Sequence, residues 1–246
     1  MRGGPSQVNK SEVNFSDVVS LLFGNALTSL TGGLIAAIFL ALGLLYQAPA
    51  LNVVMWLGTI VTIYAIRFFI HYRYVHEADK HTPLYWCSII VVGIFFSGLA
   101  WGSSAIFLFS EGQLANQAFL AFILGGMAAG AVGTYSAYPL AVYAFLAPVL
   151  MPIALRFFII GSVDSIIMGV LTTVFAGALY LTTRQISESI RESLRLRNEN
   201  RDLVAYLRDA KEQTERANRG LHEAMLEANR QASIAREANK AKSKFL

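Results

Sequence analysis

Six apolar runs, each near the ~20 residues that a helix needs to cross a ~30 Å hydrocarbon layer, constrain this chain more than anything else in it. They cover residues 27–46, 51–70, 84–109, 114–135, 140–160 and 163–181. Inside hydrocarbon every backbone amide must find its partner within the protein, so runs of this kind become helices. The breaks between them carry turn chemistry: Gln47-Ala48-Pro49, Ser110-Glu111-Gly112-Gln113, Tyr138-Pro139 and Gly161-Ser162. One connector, 71–83, is longer and polar. The stretch 114–160 is too long for one crossing, so Pro139 marks a boundary rather than a kink. A seventh span built on Val18–Phe23 is too short and runs into Asn25, which makes that stretch an interfacial or leading helix.

Charge sharpens the division. Charged residues make up 15% of the chain, against about 25% in an ordinary soluble domain. Residues 1–183 hold 6 Lys and Arg against 6 Asp and Glu, and the remaining 14 and 10 follow Thr183, so the net charge of +4 belongs to the tail. The basic balance therefore describes a polar rod and gives no reason to expect nucleic acid as a partner. The lone Cys87 excludes a disulfide framework and a cysteine-based zinc site. The first 17 residues are polar, and no signal peptide is expected.

With six crossings both termini fall on one side. That side receives Arg2, Lys10, Arg67, Arg73, Lys80, Arg184 and the basic tail, whereas the other receives Arg156, Glu111 and Asp164. The bias of Lys and Arg toward cytoplasmic loops then places both ends in the cytoplasm. Tyr46, Trp56, Tyr85, Trp86 and Tyr180 lie near span ends, where aromatic anchors belong. Small residues recur at four-residue spacing: Gly33/Ala37/Ala41, Gly98/Gly102, Gly126/Gly130 and Gly125/Ala129/Gly133. Such stripes let helices approach closely, and tight packing within the chain is their expected use.

From Arg184 onward the sequence is rich in Glu, Arg, Ala, Asn and Lys and contains no proline. Heptad a positions fall at Leu207, Thr214, Leu221, Ala228 and Ala235, and d positions at Leu203, Ala210, Ala217, Ala224, Gln231, Ala238 and Phe245. Extended backward, the frame puts Asn200 at a, where a buried amide can fix register against its twin. Asn200, Leu203, Leu207 and Leu221 are the register-setting residues. Ile186, Ile190 and Leu194 follow a different spacing, so the frame shifts between span and coil. The expected class is thus an all-α integral membrane protein, a six-transmembrane-helix bundle followed by a long cytoplasmic coiled-coil helix. Its parts are a cytoplasmic segment 1–26, a six-span membrane domain 27–183 and a coiled-coil helix 184–246.

The last residues, Ala238-Asn239-Lys240-Ala241-Lys242-Ser243-Lys244-Phe245-Leu246, resemble the segment that opens the dimerisation helix of bacterial sensor histidine kinases, hybrid ones especially. In that family A-N-x-A-K-S-x-F-L precedes a box such as A-N-M-S-H-E-L-R-T-P-L, whose histidine is phosphorylated. The resemblance implies the input half of a parallel homodimeric receptor embedded in the lipid bilayer. A response regulator or receiver domain would be the downstream partner, and ATP and Mg would serve only a kinase domain beyond Leu246. No cofactor and no catalytic residue is expected in the chain itself. The alternatives are the same input module on a cyclic-dinucleotide signalling enzyme, or a transporter or assembly protein with a coiled tail. His222, followed by Glu223, lacks the Arg-Thr-Pro of the family's box and reads as a solvated surface residue.

Candidate ligand residues are polar or aromatic groups at membrane depth, where such groups are costly and usually paired or functional. Arg156 and Asp164 flank the Gly161-Ser162 turn and are expected to meet at the outer mouth of the bundle, with Arg156 suited to a carboxylate. Trp101, Tyr135 and Tyr138 would supply the aromatic wall of a site for a lipophilic ligand. His71, His76 and His81 are spaced by five, which splays them around a helix and argues against a metal site. The orientation has a direct test. A reporter active only in the cytoplasm, fused after Leu181, is expected to be active; activity from a periplasm-only reporter at that junction would overturn the topology.

Overall fold

A computed structural model describes residues 15–242, with side chains through 237. Arg2 and Lys10, and the side chains of 238–246 on which the family resemblance rests, lie outside the described residues. All regular structure among the described residues is helical: α1 Phe15–Gly24, α2 Ala26–Leu44, α3 Ala50–Glu77, α4 Pro83–Phe107, α5 Leu114–Tyr135, α6 Pro139–Ile160 and α7 Val163–Lys242. Six helical segments are long and apolar enough to cross a membrane, the first formed by α1 and α2 together. The helix boundaries track the apolar runs closely. The exception is α3, which continues through half of the polar 71–83 connector before a 3-10 turn at Ala78–Lys80.

Local chemistry explains the ends. Thr82 caps α4 by accepting from the Tyr85 amide at 3.4 Å, and Pro83 and Pro139 occupy first-turn positions where a missing N–H costs nothing. Gly161 closes α6 with φ 72°, a conformation that a residue with a Cβ resists. At that end of the bundle the loops are stitched together. Asn52 donates to the Phe107 carbonyl at 3.1 Å, Ser110 to that of Gln47 at 3.3 Å and Gln117 to that of Ser110 at 3.1 Å.

Helices α2, α3, α4, α6 and α5 pack, in that order, into a closed ring, because each meets the next and α5 returns to α2. The core lies inside it, with Leu40, Ile60, Ile94, Trp101, Leu124, Ala128, Val142, Val149 and Phe157 buried. The closest seam is α4 with α6. A Cβ on Gly98 would come within 2.9 Å of the Phe145 carbonyl oxygen, and one on Gly102 within 2.8 Å of the Pro148 carbonyl carbon, so both glycines are required by backbone approach. Pro148 and Pro152 lie inside α6. Proline at 152 cannot donate to the Pro148 carbonyl, and it is this unengaged carbonyl that faces Gly102. The Gly98/Gly102 stripe therefore packs as expected.

The α5 stripe does not. A Cβ on Gly126, Gly130 or Gly133 would meet nothing within 4 Å, so these glycines border open space. Helix α7 meets the ring through side chains: Tyr180 stacks on Tyr143 at 5.1 Å, Phe175 reaches toward Gly125, the Phe158 ring lies close against Gly169, and Leu179 is buried. Two expected lipid-facing anchors turn inward instead. Trp56 is buried, donates to the Ala100 carbonyl at 2.8 Å and meets Trp101 edge-on at 5.4 Å. Trp86 is buried beside Phe23 and Tyr74, whereas Tyr46 is almost wholly exposed.

Helix α1 is separate from α2, as the leading-helix reading expects, and it lies across one end of the ring. Phe23 stacks on Tyr74 of α3 at 3.7 Å, and Phe15 meets Tyr138 of the α5–α6 turn at 6.2 Å. Val18 clusters with Ala137, Ile190 and Leu194. The first compact unit accordingly runs through Leu194, beyond the expected boundary at 183, because Thr183, Ser187 and Leu194 are still buried. The second unit, from Arg195, is helical with exposed side chains and ion pairs of i,i+4 spacing such as Arg216–Glu212 at 3.2 Å. The α4–α6 seam can be tested by substitution. Gly102→Val is expected to destabilise the bundle by at least about 1–3 kcal/mol in detergent unfolding, whereas Gly133→Ala should be neutral or slightly stabilising.

Candidate functional site

Arg67 is the residue that organises the interior of the ring. Its Cα belongs to α3, three residues before the apolar run ends, and composition assigns it to the charged flank of that run. The structure instead buries it, with only 6% of its surface exposed. The aliphatic stem crosses α4 at Gly93, where an added Cβ would come within 3.2 Å of the Arg67 Cγ. The guanidinium then donates from Nη1 to the Ser97 hydroxyl of α4 at 3.1 Å and from Nη2 to the Tyr135 hydroxyl of α5 at 3.0 Å. Its carbon also lies 5.8 Å from the Tyr135 ring centroid.

The network continues on both sides. Tyr135 shares a hydrogen bond with Ser29 of α2, and Ser97 donates to the Gly93 carbonyl at 2.9 Å. One turn deeper, Trp101 donates from its indole nitrogen to the Tyr64 hydroxyl at 2.8 Å, and the Tyr64 ring lies against Gly33. Four helices thus contribute polar groups to one interior cluster. Beside it, between α2 and α5, is a cavity of ≈ 240 Å³ with Arg67, Tyr64, Tyr135, Ser29 and Phe145 among its walls. Gly32, Gly126 and Gly130 also line it.

A guanidinium keeps its charge at physiological pH, and a charge held in a low-dielectric interior needs paired hydrogen bonds or an opposite charge. Neutral hydroxyls and a ring face supply the first. Among the described residues no carboxylate forms an ion pair with Arg67: Glu77 pairs with Arg73 and Lys80, and Glu111 pairs with Arg156. The cluster is therefore an interior site of net positive charge with part of the donor fork still free.

The expected site residues separate into three places. Trp101 and Tyr135 belong to the Arg67 cluster. Tyr138 lies at the end of the ring covered by α1. Arg156 is at the opposite end, where the expected meeting with Asp164 is replaced by an ion pair to Glu111 at 2.8 Å, with the Phe109 ring 5.3 Å away. Asp164, in the first turn of α7, is exposed. The three histidines take separate neighbours: His71 near Phe23, His76 over Tyr72 and His81 over Tyr85. Sequence reasoning missed Arg67, Ser97, Ser29 and Tyr64 as a group. The available signal was that Phe68-Phe69-Ile70 follows Arg67, which places the charge inside the apolar run rather than at its edge.

No protein-family model, curated protein or solved structure matches this chain. The two polar clusters should differ sharply in energetic weight. Tyr135→Phe strips hydroxyl contacts from Arg67 and Ser29 in a buried setting and is expected to cost about 1–3 kcal/mol of unfolding free energy. Glu111→Gln breaks an exposed pair and should cost at most about 1 kcal/mol. Chemical unfolding of both variants in the same detergent checks the ranking.

Proposed function

We propose that this chain is the membrane input and signal-transmission module of a dimeric two-component sensor histidine kinase. The observation that carries the reading is α7. It is a single helix, Val163–Lys242, whose first part packs on the ring through side chains such as Leu179 and Tyr180 and whose last part carries exposed leucines at heptad spacing. Leu203, Leu207 and Leu221 each leave more than half of their surface exposed, at 57%, 57% and 61%. Together with Asn200 they occupy the a and d positions at which a parallel two-stranded coil would bury them.

The mechanical logic follows from the two seams. The α4–α6 contact is backbone against backbone and resists relative movement. The α7 contact is made by side chains, with Leu179, Thr183 and Leu194 buried and the Phe158 ring close against Gly169, and it lacks the backbone-to-backbone approach of the α4–α6 seam. With no proline and no helix break near the end of the apolar segment, a displacement of α7 would pass along the same hydrogen-bonded helix into the heptads. Small movements become discrete outputs when two packings compete, and the shift of frame between Leu194 and Leu203 offers such a pair. In this reading both ends are cytoplasmic. Output domains beyond Leu246 would use ATP and Mg and pass phosphate to a response regulator, and the bundle would sense a small lipophilic ligand or a bilayer property.

Two measurements test it. In vesicles, Leu207→Cys should crosslink to its twin and Asp209→Cys should not; equal yields would mean there is no fixed seam. In a fusion of this chain to a histidine kinase output, seven residues inserted after Leu196 preserve heptad phase and should leave regulation intact. Two residues rotate everything downstream by about 200° and should lock or invert output. Unchanged regulation with both insertions would reduce the rod to a tether.

A further inference from the structure

The cavity between α2 and α5 combines features that restrict what can occupy it. At one wall stands a buried guanidinium that donates only to Ser97 and Tyr135, both neutral, and forms no ion pair among the described residues. Beside it, Tyr135 and Ser29 share one hydrogen bond between two hydroxyls, so one hydroxyl proton remains available to an acceptor. The far wall is apolar, made by Met127, Ala131 and Phe145. Gly126 and Gly130 have nothing within 4 Å of where a Cβ would stand, so this space is held open rather than filled by a neighbouring helix. Thr28 and Gly32 at the rim are exposed, which leaves the α2–α5 seam as the way in.

We propose that this cavity binds a monocarboxylate, with its oxygens on Arg67 and the Tyr135–Ser29 hydroxyl pair and its apolar part against the glycine-lined wall. The planar fork of arginine matches a carboxylate in shape, and one guanidinium among neutral donors balances one negative charge rather than two. At ≈ 240 Å³ the space lies just below the ~300 Å³ at which sites for drug-sized molecules begin, so it suits a short acid or the head end of a longer one. A short acid would come from water and a fatty acid from the bilayer; the chemistry at Arg67 is the same. The proposal deepens the input-module reading and takes its physiological meaning from it. Binding is measured on the chain itself, however, so a negative result here leaves the crosslinking and insertion tests standing, and the reverse holds as well.

The experiment uses the whole chain in phosphatidylcholine nanodiscs. Equilibrium uptake is measured for labelled butyrate added from water and for labelled oleate placed in the bilayer, each against its uncharged amide. Saturable binding of at least one acid is expected, with its amide weaker by about tenfold or more, the loss of a charge-assisted contact. Binding of butyrate puts the source in water, and binding of oleate alone puts it in the bilayer. Arg67→Gln should remove the preference for acid over amide. Gly130→Leu, which fills open space while leaving Arg67 in place, should weaken binding by about tenfold or more with an unfolding midpoint near that of the unsubstituted chain. Gly130→Leu decides the matter if Arg67→Gln does not fold. Absence of saturable uptake of either acid, equal uptake of acid and amide, or undiminished affinity in Gly130→Leu would each overturn the proposal.

Discussion

A positive charge inside a membrane bundle has to be held by something, and much of this fold can be understood as the means of holding Arg67. Its stem runs close past Gly93 of α4, and its head reaches Ser97 of α4 and Tyr135 of α5. Through Tyr135 the network also takes in Ser29 of α2. The ring order α2, α3, α4, α6, α5 brings these four helices around one point, with Phe145 of α6 closing the far side. Apolar packing alone would allow many rotations of each helix about its axis. A buried donor that must find its acceptors allows far fewer, so the guanidinium fixes the rotational setting of the helices it touches.

Packing quality is distributed unevenly around that point. The α4–α6 seam brings backbone against backbone at Gly98 and Gly102, and it takes up the carbonyl that Pro152 leaves without a helical donor. Helix α7, in contrast, meets the ring through Tyr143–Tyr180 stacking and the edge of Phe175. Between these extremes lies α5, paired to α2 and α6 but bordered by glycines that touch nothing. A stripe of small residues therefore has two opposite uses in one chain: intimate contact on α4, and the preservation of space on α5.

The helical segments were legible in the sequence because the thickness of hydrocarbon imposes one length on every crossing, and turn residues mark the ends. The leading helix α1 was legible for the complementary reason: Val18–Phe23 is apolar but too short to cross. What could not be read was the direction in which individual side chains point. Arg67 lies close enough to a run's end to pass for a flanking charge, and Trp56 and Trp86 pass for interfacial anchors in the same way, since a linear pattern records depth but not facing. Arg156 and Asp164 are neighbours in sequence, yet Arg156 finds Glu111, which is 45 residues away, because the α4–α5 loop and the end of α6 share one end of the ring. Of the interior site, Trp101 and Tyr135 were identified as residue types that suit a pocket; their common partner was not.

The open flank of α5 has a mechanical corollary. Voids are the part of a protein on which pressure does work, since collapsing them lowers the volume of the system. At Gly98 and Gly102 the α4–α6 seam has no space to give up, whereas the α2–α5 seam holds a cavity of ≈ 240 Å³ beside Arg67. The contact at Gly98 and Gly102 is in consequence less compressible than the α2–α5 seam. Collapse of that cavity would drive together the hydroxyls and the guanidinium at the centre of the ring.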